Sequence, residues 1–572
     1  MNLNQLLKNL KLPKEGFPNV KVALLGDSAT QLLAKAIIAR GLEYQLDIQL
    51  FEADYDQIEM QIFDVDSDLY RFDPEYILIY QSTEQLLKKF QKIPFSNRNT
   101  FHETISIQIS TLWKVLFESS SAKVLQCNFI EINDSVFGNY ANKLNHAFLY
   151  QLRQLNVGLM ELAQQHKGAF ILDLLAIQAH IGYEQMFDSK FYINAAMTLA
   201  PDALPEVAAQ VLKMIAAMRG RFKKCLILDL DNTTWGGVIG DDGLEKIQIG
   251  ALGIGKAFTE LQLWAKALQE RGIILAICSK NTENIAKEPF EKHPDMVLRL
   301  EDISIFVANW ENKADNIRYI QSVLNIGFDS MVFLDDNPFE RNLVREQLPQ
   351  VTVPKLPEDP AEYLPYLRTL NLFETASYSS EDVKRTVKYQ QEAQRAGSQK
   401  SFSSIDDYLK NLNMQGQIES INAFNTPRVA QLTQRSNQFN LRTIRYTEED
   451  ITRIVGADNK FSKCVSLKDR FGDYGLISVL LLEKSEDAIF IDTWIMSCRV
   501  LKRGVEHFVL NHLVELARQK GCKKIIGEYI PTPKNGIVKD HYKNLGFKQA
   551  DNNYWHLDLT NYTNQENYIN AE

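Results

Sequence analysis

The apolar run Cys225-Leu226-Ile227-Leu228 leads directly into Asp229-Leu230-Asp231-Asn232-Thr233. If the run is a strand, the turn after it holds two carboxylates at the carboxyl edge of a sheet, where open α/β sheets bind ligands. Acids held that close repel each other unless a cation lies between them. A hard cation such as Mg2+ takes oxygen ligands. The pair therefore reads as a nucleophile and a proton carrier around one metal ion. An isolated Asp-x-Asp at a strand end is more often a turn or a helix cap, so the reading depends on what else the chain supplies.

It supplies three further pieces in order. The run Ile273–Cys278 ends in Ser279-Lys280-Asn281, a hydroxyl at the same edge. Lys313 follows Asn309-Trp310-Glu311-Asn312 where a helix is expected to begin. The run Met331–Leu334 ends in Asp335-Asp336-Asn337. Together they meet the needs of phosphoryl transfer, which is mostly positioning and charge neutralisation. One carboxylate attacks phosphorus, a metal neutralises charge, a hydroxyl and an ammonium hold the outer oxygens, and a second acid protonates the leaving group.

These pieces must be positioned by a chain of 572 residues, long enough for about three or four domains. It is 45% hydrophobic and 24% charged, with a net charge of -9. That composition is ordinary for a soluble globular protein, and the acidic balance gives no footprint for nucleic acid. No apolar run is long enough to span a bilayer, and the first residues lack the regions of a signal peptide, so a cytoplasmic enzyme is expected. Six cysteines without CxxC spacing indicate neither a zinc site nor a disulfide framework.

Three folded units are expected. Residues 1–219 alternate apolar runs (Val22–Leu25, Tyr76–Ile79, Val124–Ile130, Phe170–Leu174) with helical stretches, which predicts a parallel sheet covered by helices. Residues 221–370 carry the acids. A charged helix over Glu381–Gln394 and a polar linker occupy 371–404. Residues 405–562 hold a hairpin of Gly475–Leu482 and Ala488–Met496, then a helix over Val505–Gln519, a strand over Lys524–Tyr529 and a short helix. The polar residues 563–572 are expected to fray as a disordered tail.

The acid, serine, lysine and acid set resembles the haloacid dehalogenase (HAD) superfamily. The longer runs Asp229–Gly243, Ser279–Asn281 and Phe333–Arg341 look like its FkbH-like subgroup, with Thr234 in place of an expected leucine. The resemblance implies a Rossmann-like sheet, with Asp229 as nucleophile and Asp231 as general acid, then base. It further implies Thr233, Ser279 and Lys313 as phosphate contacts, with Thr233 also supporting the motif loop. Asp229, Asp231, Asp335 and Asp336 would surround Mg2+, Asp336 either as a ligand or as an acid beside the ligands. Trp235–Gly243 reads as a glycine-rich flap or as a plain hairpin. The gap between Asp231 and Ser279 holds that segment, a helix and a strand. The gap between Ser279 and Lys313 holds little more than a helix and a turn. Neither leaves room for an inserted cap domain, so the site is expected to be open to a bulky partner.

The last unit resembles a GNAT-type α+β acyltransferase fold, closing in His541–Phe547. Its Leu501–Glu506 departs from the usual coenzyme A loop at both ends. Segments Thr433–Asn440, Asp469–Gly475 and Met496–Val500 also match FkbH-like proteins. Cys498, beside Arg499 and near Lys502 and Arg503, is the candidate acyl-carrying thiol, since cations favour thiolate. Cys278 is its rival, with packing the expected role. Gly26-Asp27-Ser28 resembles the first block of SGNH hydrolases on a flavodoxin-like sheet. Asp202-Ala203-Leu204-Pro205, however, has proline where that family's histidine belongs, so a degenerate domain is expected. His180 reads as structural, and Asn128 and Asn133 as oxyanion donors or turn residues. The family resemblance implies an enzyme that takes a small phosphorylated three-carbon substrate, 1,3-bisphosphoglycerate. It would load a glyceryl unit through an enzyme thioester onto the phosphopantetheine arm of an acyl carrier protein. The alternatives are a plain Mg2+-dependent phosphatase and a scaffold with a vestigial site.

Overall fold

The computed structural model describes residues 2–378, 389–391, 395, 398, 402, 404–436, 438–551 and 553–572, apart from the side chain of Cys498. The chain divides into two compact units, Met1–Ala216 and Ala217–Glu572. The helix expected over Glu381–Gln394 and the linker after it lie mostly outside the described residues. Among the described residues no helix is long and apolar enough to cross a membrane.

The first unit is a five-stranded parallel sheet: β1 (Asn19–Gly26), β2 (Asp47–Glu52), β3 (Tyr76–Tyr80), β4 (Lys123–Cys127) and β5 (Ala169–Leu172). The strands lie in the order β2-β1-β3-β4-β5. This is a flavodoxin-like order, and the parallel sheet is the one the alternation of strands and helices predicted.

The second unit holds two sheets. One is four-stranded and parallel: β6 (Cys225–Leu228), β7 (Ile274–Ser279), β8 (Ile303–Ala308) and β9 (Met331–Leu334), in the order β8-β7-β6-β9. Its side chains alternate between two cores. Leu226, Leu228, Leu275, Ile277, Val332 and Leu334 point to one. Cys225, Ile227, Ile274, Ala276, Met331 and Phe333 point to the other. Burial on both faces is why these strands read as unbroken apolar runs. β8 is a strand that the sequence reading passed over. It lengthens the Ser279–Lys313 gap without adding a cap domain.

The other sheet has eight strands: β10 (Met414–Ser420), β11 (Lys460–Asp469), β12 (Gly472–Ser485), β13 (Ala488–Met496), β14 (Lys524–Glu528), β15 (Lys548–Asp551), β16 (Tyr554–Asp558) and β17 (Ile569–Ala571). It is antiparallel from β10 to β13, and the helix Val505–Gln519 then crosses over so that β14 runs parallel to β13. The expected hairpin, helix, strand and short helix are all present. His541 is packed by Phe439, Trp494 and Tyr542, and burial pushes its pKa down to about 3, so the closing segment serves packing. The tail does not fray. Asn511 receives the Gln565 N–H and donates to its carbonyl, and β17 pairs in parallel with β10.

The eight-stranded half meets the amino ends of the four-stranded sheet. Lys224, just before β6, donates to Arg435 O at 2.8 Å, and Lys534 pairs with Asp329 just before β9. Gln390 donates to Ile303 O at the start of β8. The acids lie at the opposite, carboxyl edge.

Candidate active site

Strand register sets the first distance. Leu228 is level with Leu334 on β9, so the next residues, Asp229 and Asp335, leave adjacent strand ends side by side. The helix Lys313–Leu324 begins after β8. Asn312 caps it by accepting the Ala314 N–H at 2.8 Å, which holds Lys313 in its first turn. The Lys313 Nζ lies 2.9 Å from Asp229 Oδ1 and 2.6 Å from Asp335 Oδ2. All three side chains are buried. Single oxygens of Asp229, Asp335 and Asp336 lie within 4.8 Å of one another, a group that could hold a metal ion.

Three carboxylates around one ammonium leave two negative charges over. Burial first, and the charge of Asp229 second, raise Asp335 to about 7 and also raise Asp336. Lys313 is buried, which disfavours its charge, yet Asp229 and Asp335 together hold its pKa above the ordinary lysine value. An oxygen-only group with two uncompensated charges matches a hard divalent cation.

The sequence-predicted residues do not all converge. Asp231 was expected among the metal ligands, but its carboxylate is outside that group. Its Oδ1 accepts from Trp235 Nε1 and the Ile239 N–H, both at 3.0 Å, and its Oδ2 from Asn281 at 3.1 Å. Burial raises its pKa against those donors. The position suits a proton carrier beside the metal group. Thr233 was expected to contact phosphate. Its hydroxyl instead accepts the Asp336 N–H at 2.9 Å and reaches Asp336 Oδ1 at 3.2 Å, which fixes that acid. Ser279 is buried at the end of β7. Cys278 donates to Lys313 O at 3.7 Å, and burial pushes its thiol far up, so it packs. The side chain of Cys498 lies outside the described residues. Its backbone begins the short turn Cys498–Val500, where the buried Arg499 donates to Tyr474 O.

Trp235–Gly243 is the first part of a hairpin that two bonds between Gly236 and Gln248 close. It carries a turn of helix at Ile239–Asp242 and is anchored by the fully buried Trp235. The sequence reading did not assign roles to Trp235 and Asn281 on Asp231. It also missed the Lys280–Glu340 pair at 2.6 Å, which ties the loop after β7 to the helix after β9, and Arg341, which donates to the carbonyls of Asp335 and Asp336. For Asn281, a polar side chain two residues beyond Ser279 was the available signal.

In the first unit, Ser28 Oγ accepts from Thr198 Oγ1 and is buried. Asn128 bonds Asp173 and the Leu174 N–H, so it fastens the start of a helix. Asn133, His180 and Asp202 are exposed. Among the described residues no histidine bonds Ser28.

With this geometry in place, similarity to known proteins decides the family. Residues 21–216 match the FkbH N-terminal domain. A crystal structure of the N-terminal part of BF1531 from Bacteroides fragilis, containing a phosphatase domain complexed with Mg, is 54% identical. The match covers 66% of this chain and all of that one, with a TM-score of 0.63. The chain belongs to the FkbH-like proteins. The ribosomal-protein-S18-alanine N-acetyltransferase of Escherichia coli also matches, at 13% identity over 26% of this chain and 97% of that one, with a TM-score of 0.21. The GNAT domain of S. lividans PAT matches at 14% over 25% and 89%, with a TM-score of 0.20. At that similarity nothing about activity follows. No curated protein matches.

Proposed function

We propose that this FkbH-like protein is a Mg2+-dependent HAD-type phosphatase and acyltransferase. It converts 1,3-bisphosphoglycerate to a glyceryl thioester and loads it onto an acyl carrier protein. The reading is carried by the convergence of Asp229, Asp335, Asp336 and Lys313 at an uncapped sheet edge. The Mg-bound relative at 54% identity supports it.

Asp229, Asp335 and Asp336 would hold Mg2+, which supplies charge neutralisation for the phosphoryl group and its nucleophile. An Asp229 oxygen attacks phosphorus in line, and the bond to the substrate oxygen breaks. Asp231, held off the metal group by Trp235 and Asn281, gives that oxygen a proton. Asp231 then takes a proton from the water that hydrolyses the aspartyl phosphate, restoring both acids. Lys313 and Ser279 hold the outer phosphoryl oxygens. At the second centre the Cys498 sulfur attacks the acyl carbon of the acyl phosphate. The carbon–oxygen bond to phosphate breaks, phosphate leaves, and the acyl group stays as a thioester for the carrier's thiol. Exposed Trp310, on the loop after β8, and Phe339, in the first turn of the helix after β9, give the open edge apolar contacts for a macromolecule that presents the substrate.

Intact-mass analysis with 1,3-bisphosphoglycerate and Mg2+ tests this reading. A glyceryl-sized adduct is expected, lost in Cys498→Ala. Absence of the adduct, or its survival in that variant, removes the thiol step.

One observation favours a plain Mg2+-dependent phosphatase acting on a phosphorylated intermediate of surface-polysaccharide or natural-product assembly. The Cys498 turn belongs to the half that packs on the amino ends of the sheet, linked through Arg499, Tyr474 and Asp469 to Arg395. That half lies at the amino ends of the strands, opposite the edge that carries the acids. Mixing Asp229→Asn with Cys498→Ala enzyme separates the two readings. Restored loading shows that an intermediate travels between centres. Turnover of generic phosphate esters without any carrier, and no loading in wild type, favours the phosphatase.

A further inference from the structure

The first unit holds a buried polar crevice that phosphoryl chemistry leaves unused. In the order β2-β1-β3-β4-β5 the chain departs from β1 to one side and from β3 to the other. Open α/β sheets bind ligands in the gap this creates beyond the carboxyl ends. β1 ends at Gly26 and leads into Asp27 and Ser28. β3 ends at Tyr80 and leads through Ser82 into the helix Thr83–Gln91. Asp27, Ser28, Tyr80, Glu84 and Thr198 gather here, each less than a tenth exposed.

The hydrogen bonds determine what a ligand must offer. Thr198 Oγ1 donates to Ser28 Oγ at 2.9 Å. That uses its single proton, so in the 2.7 Å contact with Tyr80 the phenol donates. The relay ends on Ser28, whose own proton has no acceptor among the described residues. Asp27 takes the Ser82 N–H on both oxygens, at 2.8 and 3.0 Å, and makes no bond to Ser28 among the described residues. Glu84, in the first turn of the helix, is 6% exposed, and neither of its carboxylate oxygens has a partner. Glu84 follows by two positions the Ser82 whose N–H holds Asp27, which sets it beside the same gap. Burial at this degree without a hydrogen bond is costly, so the acceptor calls for a donor from elsewhere. Tyr55 and Tyr183 expose their rings nearby. Tyr55 accepts from Gln85, next to Glu84, and Tyr183 stacks on Phe187, which packs on the Tyr192 ring covered by Lys88 of the same helix as Glu84.

We propose that this crevice binds an uncharged, polyhydroxylated ligand of the carbohydrate class, with one hydroxyl accepting from Ser28 and a neighbouring hydroxyl donating to Glu84. An anionic ligand would meet two acids. An ammonium group could donate to Glu84 but could not accept from Ser28. The two tyrosine rings offer apolar faces to the C–H side of such a ligand. Ser28 is a binding donor here and not a nucleophile, because the relay runs protons toward its oxygen and no base withdraws one.

Saturation-transfer NMR on the full chain tests this, with glycerol, glucose, galactose, mannose and N-acetylglucosamine as probes. At least one is expected to bind, with affinity lowered tenfold or more in both Ser28→Ala and Glu84→Leu, while thermal melting shows both variants folded. Asp229→Asn is expected to bind the same probe as wild type does, which keeps this site separate from the fate of the phosphatase reading. No binding by any probe overturns the proposal, as does equal binding in both crevice variants or loss of binding in Asp229→Asn. Covalent labelling of Ser28 by a fluorophosphonate overturns its assignment as a donor.

Discussion

Two parallel sheets in this chain end their first strand in an acid, and only one of those acids is equipped for phosphoryl chemistry. Beyond β1, Asp27 has both oxygens on one backbone N–H, and the groups around it are hydroxyls and a second acid. Beyond β6, Asp229 meets a lysine from the helix after β8 and an acid from β9. The local sequences, Leu-Leu-Gly-Asp-Ser and Leu-Ile-Leu-Asp-Leu-Asp, are not far apart. What other strands bring to the edge makes the difference. An acid at a sheet edge becomes reactive when its surroundings leave charge for a cation and an electrophile to match, and inert when the backbone satisfies it.

The sharpest break between the two edges is substitution of their acids. Asp229→Asn keeps shape and removes the nucleophile. Turnover of a phosphate ester is expected to fall by about 10³-fold or more. Asp27→Asn is expected to leave that rate within about twofold. Steady-state kinetics on both variants decides. A comparable loss in Asp27→Asn would mean that the two edges do not act separately.

The next effect is on stability. Lys313→Met leaves Asp229 and Asp335 buried without their cation, and breaking a buried pair from one side costs on the order of 3–5 kcal/mol. Melting in a chelator should show that loss, and Mg2+ should return part of it, because a divalent ion supplies the missing charge. Wild type should melt lower in chelator than in Mg2+ as well, and lose turnover. No Mg2+ effect on either protein would remove the metal assignment of Asp229, Asp335 and Asp336.

The equivalent burden at the first edge is carried by Glu84. Burial raises it from 4.5 to about 7. A raised acid contributes its full stability below its unfolded value, where it is neutral in both states. The unfolded chain then ionises first, so stability declines as pH rises from about 4.5 and is lost through about 7. The span corresponds to about 3 kcal/mol. Glu84→Gln removes this titration. The melting temperature of the variant minus that of wild type should therefore grow from pH 5 to pH 8. A constant difference would show that Glu84 is not buried as a charge.

How much of this was legible in the sequence follows from burial. Cys225–Leu228, Met331–Leu334 and Ala488–Met496 matched in their bounds, and so did the helix Val505–Gln519, because each is apolar enough to announce itself. β2, β8, β10, β11, β15 and β16 were passed over. Asp47-Ile-Gln-Leu mixes polar and apolar residues as half-buried strands do, whereas Ile303-Ser-Ile-Phe is buried but has its apolar run broken by the buried Ser304. β17 was read as tail because its three residues gain their partner only from β10, about 150 positions earlier. At the site, residue types and strand ends indicated Asp229, Lys313 and Asp335. Which way the Asp231 carboxylate turns depends on a tryptophan in a hairpin and an asparagine in the loop after β7, and no spacing rule carries that.

That turn gives the smallest and most specific test. Asn281→Ala removes the donor to Asp231 Oδ2, while Trp235 Nε1 and the Ile239 N–H still hold Oδ1. A hydrogen bond to a charged group is worth about 1.5–3 kcal/mol, and only part of it is lost when water can substitute. The expected outcome is a fall in kcat of about tenfold with KM nearly unchanged, because Asp231 acts on the leaving oxygen and not on binding. Trp235→Phe should cost more, since it also loosens a fully buried ring. A rise in KM with kcat intact would instead make Asn281 a substrate contact. At Asp27 the larger part of the hold is the Ser82 backbone N–H, with the Ser82 side chain second, so truncating that side chain reaches only the smaller part. One edge is held mainly by the main chain, and the other is tuned by side chains that substitution can reach.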